Sequence, residues 1–136
     1  MANQSKFRVF SPPQLPPPVG YSHLAEITGG KIIYIAGQVA LDASGNIVGK
    51  SDYRAQLEQV FLNLKTALEA AGASFKNVVK LNYYIVDAVD RSQFFAYREV
   101  RDKYVDTSNP PVATVVVVRG LVLPDFLVEI EAIAVV

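Results

Sequence analysis

The chain contains no cysteine and no tryptophan, and only one methionine and one histidine. Without cysteine there can be no disulfide, no thiolate nucleophile and no Cys-based zinc site. A single histidine, His23, excludes a His-rich metal centre, so no metal is expected. Net charge is missing too, because 13 Lys and Arg balance 13 Asp and Glu. A balanced chain exerts no general attraction on nucleic acid or on acidic membranes. No apolar run reaches the roughly 18 residues that a membrane span requires. The first ten residues, "MANQSKFRVF", lack the apolar core of a secretory signal. The expectation is a cytoplasmic protein with no membrane partner, and one for which nucleic acid is a disfavoured partner.

What is present is apolar material. Of 136 residues, 51% are apolar and only 19% charged, enough for one domain with a real core. Residues 1–136 read as a single domain in which 1–20 are extended and proline-rich. Five prolines fall between Pro12 and Pro18, which leaves few donors for a sheet. This segment either docks on the body or serves a proline-binding module. The low charged fraction also points to apolar surface covered by another subunit.

The periodicities outline an α+β fold. "HLAEIT", the pair Gly29–Gly30 and "KIIYIAGQVA" read as a β-hairpin. Ser44–Gly45–Asn46 is a turn. Over 52–71, Tyr53, Leu57, Val60, Phe61, Leu64, Leu68 and Ala71 recur at spacings of three and four, one apolar helical stripe. Ser51 is the candidate cap and Gly72 the candidate stop. Val78–Val86 is a strand. A second helix is expected after Asp90, with Gln93 in a capping-box position, running to about Tyr104. "VATVVVVR" and 127–135 are the last strands. The result is a single mixed β-sheet with two helices on one face. "TVVVV" and "IIYIAG" make the other face apolar as well, and the chain has no third helix to cover it. Identical subunits closing into a ring would cover it.

The terminal "LVEIEAIAVV" sets Glu129 and Glu131 two residues apart, hence on one face of a strand. Either the face is solvated, or an acid lines a cleft and handles protons.

The stretches "GYSHLAEITGGKIIYIAGQVALDASGNIVG", "QLEQVFLNLKTALEAAGASFKNVVKLNYYIVD", "NPPVATVVVV" and "LVEIEAIAVV" resemble the RidA family, also called YjgF/YER057c/UK114. The resemblance covers roughly Tyr21–Val136. It implies a homotrimer with a barrel-like centre and clefts between subunits. It also implies cofactor-free hydrolysis of reactive imines and enamines to ketoacids and ammonia, a metabolite damage-control role. Glu129 matches the family's cleft glutamate and is the candidate catalytic group, with Glu131 structural or at the rim. Tyr21 matches a tyrosine whose hydroxyl faces the cleft, and Gly37 a glycine that lets backbone approach the ligand.

The sequence departs from the family pattern at two places. Ala113 stands where archetypal deaminases carry an arginine that clamps the substrate carboxylate. Ala36 replaces a small hydroxyl residue. Arg119 lies six residues beyond Ala113, about 20 Å along a strand, too far to substitute. Arg98 and Arg101 on the second helix are the alternatives, against the reading that they are solvated helix charges. Thr114 offers a hydroxyl but is also a good strand former. His23, two residues after Tyr21, is a candidate base near neutral pH or a hydrogen-bonded structural group.

Three functions compete. One is a Rid-type hydrolase or deaminase acting on a small molecule other than the archetypal 2-imino acids. The second is a non-catalytic trimer that binds metabolites or protects client proteins. The third is cleavage of RNA, against which the zero net charge counts.

Overall fold

The structure, a computed structural model, describes residues 5–136. Its main element is a four-stranded mixed sheet in the order β3-β6-β4-β5, with β3 Ile32–Gln38, β4 Val78–Val86, β5 Val112–Val118 and β6 Val128–Val135. β6 runs antiparallel to both neighbours, whereas β4 and β5 are parallel. Helix α1 (Tyr53–Ala70) links β3 to β4 and helix α2 (Ala96–Asp102) links β4 to β5. Parallel neighbours need such a crossover, and both helices lie on the same face.

That face is the core. Leu57, Val60, Phe61, Leu64 and Leu68 of α1 are fully buried, as are Leu81, Ile85, Val128 and Ile130 beneath them. Phe61 and Tyr104 stack at 5.3 Å, and Phe75 closes the cluster. The alternate strand residues face away from the helices. They include the exposed Ile32, Tyr34 and Val116, so the second face is uncovered within one chain.

The expected hairpin across Gly29–Gly30 does not form. β2 (Leu24–Ile27) pairs instead with β1 (Phe7–Phe10) in a separate two-stranded ribbon, with Arg8 opposite Glu26. β3 pairs with β6, where Ile33 and Ile35 can reach the core. Gly30, at φ 90°, is the corner between ribbon and sheet, and a side chain there would overlap the Val136 carbonyl.

The helix starts also differ from expectation. Asp52, not Ser51, caps α1, its carboxylate accepting from the Ala55 N–H at 3.0 Å. Ser51 sits in the left-handed region at φ 61°, which takes its hydroxyl out of capping position. Gly72, at φ 73°, follows the last turn as expected. α2 begins at Ala96 rather than after Asp90, with no side-chain cap. Asp90 is engaged in a turn in which its carboxylate accepts from the Ser92 N–H, and that bond holds its pKa below the usual range.

One buried polar residue ties the loops to α1. Gln56 is fully buried; its amide donates to the Gly49 and Asp125 carbonyls and its oxygen accepts from the Leu127 N–H. Gln56→Leu leaves three backbone groups unpaired, a loss on the order of 3 kcal/mol. Thermal denaturation should show Tm lower by roughly 10 °C.

Candidate functional site

β6 carries the two acids on the uncovered face. Glu129 lies in register with Tyr84, and Glu131 with Asn82. Glu131 is fully engaged: Tyr84 donates its hydroxyl proton at 2.5 Å and Asn82 its amide at 3.2 Å. That bond raises the Tyr84 pKa, with burial adding to it. Glu129 has no such partner among the described residues. Its carboxylate lies against Gly37, where a Cβ would overlap Oε1. Gly37 and Ala36 form a bulge in β3: Ile35 pairs with Ala132 but Gln38 with Ile130, one residue too many on β3. The bulge brings glycine backbone next to the acid. From Gly37 an open hollow of about 810 Å³ extends along α1, past Asn63 and the exposed Leu62.

The other candidates collect at the opposite edge of the sheet. Tyr21–Ser22 is stitched to the start of β5. Ser22 bridges Val112, its N–H donates to the Pro111 carbonyl, and its hydroxyl donates to the Pro110 carbonyl at 2.6 Å. A pocket of about 470 Å³ opens there, and Tyr21, Tyr83, Arg98, Arg101, Ala113 and Thr114 line it. Ala113 pairs with Leu81 and so faces the helix side. Thr114 faces the other way and accepts from Lys80 at 3.3 Å. His23 is committed to the proline segment. Its Nε2 must carry the proton to donate to the Pro16 carbonyl at 2.8 Å, and its ring meets Tyr21 edge-on.

Both α2 arginines reach this pocket. The Arg101 side chain is 7% exposed, and its Nε donates to Asp102 Oδ1 at 2.8 Å. A side chain on Gly20 would overlap its guanidinium, so Gly20 at φ 76° makes room for it. Arg98 lies over the Phe95 ring at 4.4 Å. Its buried Nε meets no protein acceptor. Tyr83 is the residue that sequence reading missed. Its period in β4 matches the core, yet its buried hydroxyl also lacks a protein acceptor. Burial pushes its pKa up, so the phenol stays protonated and keeps an O–H to donate.

Within one chain these two groups do not meet. From β6 through β4 and β5 to Tyr21 are three strand spacings, about 14 Å. The four-residue step from Val116 to Val112 adds about 13 Å along the strands, so Glu129 and Tyr21 stand roughly 20 Å apart. Glu129 and Ala113 also point to opposite faces.

The sequence model of the family described as Endoribonuclease L-PSP matches residues 13–136. The chain belongs to this family, the RidA/YjgF family. A RutC family protein of Pyrococcus horikoshii is 40% identical over 121 residues, 88% of this chain and 90% of that protein. A 2-iminobutanoate/2-iminopropanoate deaminase of Dermatophagoides farinae is 33% identical over 131 residues, covering 95% of this chain and 96% of that one. A crystal structure of a Rid family protein of unknown function from Yersinia pestis superimposes with a TM-score of 0.86 at 36% identity, over 97% of this chain and all of the other. The α+β architecture is thus that of solved RidA/YjgF relatives. No helix among the described residues is long and apolar enough to cross a membrane.

Proposed function

We propose that the chain is a RidA-type hydrolase of imine or enamine metabolites, working without a cofactor in clefts between the subunits of a cytoplasmic homotrimer. The observation that carries this reading is the separation of two half-sites. Glu129 and Gly37 lie at the β3 edge, and Tyr21, Ala113 and the α2 arginines at the β5 edge. Neither half is complete, and a second copy of the chain set edge to edge would join them. Ring closure by three copies would also cover the apolar Ile32, Tyr34 and Val116.

The chemistry asks for little. Glu129 holds a water and takes one of its protons as the oxygen bonds to the imine carbon. The proton passes to nitrogen, giving a neutral carbinolamine. A second transfer, from the new hydroxyl to nitrogen, expels ammonia and leaves the ketone. Positioning and one proton carrier suffice.

The surface favours small molecules over RNA. Arg8, Lys50, Arg54, Lys65 and Lys103 each pair with an acid, which leaves no basic stripe among them. The non-catalytic alternative, a trimer that binds metabolites or protects proteins, uses the same cleft but needs no proton carrier.

Ammonia release from a panel of imines and enamines, made in situ and varied in the presence and position of a carboxylate, tests the activity. Release above the buffer rate on at least one member is expected; none across the panel returns the protein to the binding alternative. Sedimentation at micromolar concentration should give three times the 14.9 kDa chain mass, and a stable monomer would contradict the shared cleft.

A further inference from the structure

We infer that Arg98, Arg101 and Tyr83 form an oxyanion pocket beneath α2 that holds a substrate carboxylate lying at a distance from the reacting C=N carbon. This deepens the hydrolase reading and rests on it.

Three observations converge. First, the pocket offers donors. Arg98 Nε and the Tyr83 hydroxyl are both buried without a protein acceptor, a costly state for polar groups. Arg101 has one bonded nitrogen, its Nε, and the rest of its guanidinium is left to the pocket. Second, the lining is uncompensated. No acidic side chain among the described residues lines the pocket, and Asp102, the one acid on Arg101, is about half exposed. Two guanidiniums against one partly solvated carboxylate leave a positive site that a single carboxylate would neutralise. Third, the donors are set back. Tyr83 stands on β4, one strand inward from β5, and both arginines come from α2. An arginine at position 113 would project from the edge strand itself into the cleft. With Ala113 there, the anion-binding atoms lie behind that position, and the space is open to a longer ligand.

A carboxylate bonded directly to the imine carbon would not reach these donors while that carbon faces Glu129 of the neighbouring copy. One separated from it by two or three methylenes would. The pocket therefore selects imines of γ- or δ-keto acids over compact 2-imino acids.

Product-like ketones read this out without turnover. Isothermal titration with 4-oxopentanoate, its neutral amide, 2-oxobutanoate and inorganic phosphate compares the four chemistries. The expected result is that 4-oxopentanoate binds at least tenfold tighter than both the amide and 2-oxobutanoate. Arg98→Ala and Tyr83→Phe should each weaken it at least fivefold. Tyr83→Phe removes only a hydroxyl that bonds nothing in the protein, so its Tm should be unchanged or higher, which separates binding from folding. Four results would overturn the assignment: equal binding of the amide or of 2-oxobutanoate, no effect of either variant, tighter binding of phosphate, or no binding of 4-oxopentanoate at millimolar concentration. Because the readout is equilibrium binding, a protein that releases no ammonia yet binds as expected refutes the hydrolase reading and keeps the pocket.

Discussion

Glu129→Gln is expected to lower turnover of any imine substrate by about 10²- to 10⁴-fold, the usual contribution of a positioned proton carrier. The substitution keeps shape and hydrogen bonding but cannot accept a proton. Its effect should fall on kcat, since Glu129 is not asked to hold the substrate's anion. The fold should be unaffected. Glu129 is on the uncovered face and bonds no other described residue, unlike Glu131, which anchors Tyr84 and Asn82. The matched control is Glu131→Gln, which disturbs that pair of bonds yet leaves the carboxylate beside Gly37 in place. Its turnover should change less than that of Glu129→Gln. Steady-state kinetics on both variants, with trimer mass checked in parallel, decides. Equal loss in the two would mean that the face matters only as structure.

The second large effect concerns substrate choice. Turnover of 2-iminobutyrate should fall below that of an arginine-bearing deaminase by roughly thirtyfold to a thousandfold. One bidentate charge-assisted pair supplies about 2–4 kcal/mol of transition-state binding, which converts to that range of rates. Ala113 supplies none. Restoring the side chain by Ala113→Arg should recover part of the rate, because position 113 lines the pocket. Ammonia release from 2-iminobutyrate by the unaltered chain and by Ala113→Arg is the check. A fast unaltered chain, slowed by neither Arg98→Ala nor Arg101→Ala, would show that position 113 does not decide the substrate.

Much of the fold is legible because it is written in local patterns. The alternation in β4 places its ends at Val78 and Val86, as observed, and the apolar stripe from Tyr53 to Leu68 marks α1. Errors arise where a non-local partner outbids a local signal. Gly29–Gly30 looks like a hairpin turn, but β6 offers β3 a core-facing partner, and the four residues Phe7–Phe10 capture β2. A strand that short, followed by prolines, has no period to read. Ser51 and Gln93 are suitable capping types, but Asp52 and the Asp90 turn take their places. Within the site, strand parity is enough to put Glu129 and Glu131 on one face. It cannot tell which of the two is satisfied, because that depends on Asn82 and Tyr84 one strand away. Tyr83 is beyond sequence reading for a similar reason: a buried tyrosine with a bonded hydroxyl and one without have the same period.

The central claim is that each working site takes its acid from one copy and its pocket from another, and subunit mixing tests it directly. Glu129→Gln chains lack the acid. Ala113→Glu chains place a carboxylate in the pocket that takes up its arginines and blocks the substrate's own. Each alone should be nearly inactive. Co-refolded in equal amounts, random trimers pair an intact pocket with an intact acid at about one quarter of their interfaces. The account predicts recovery to about a quarter of the unaltered turnover. A mixture as inactive as its two parents, at full trimer mass, would show that both halves must come from the same chain.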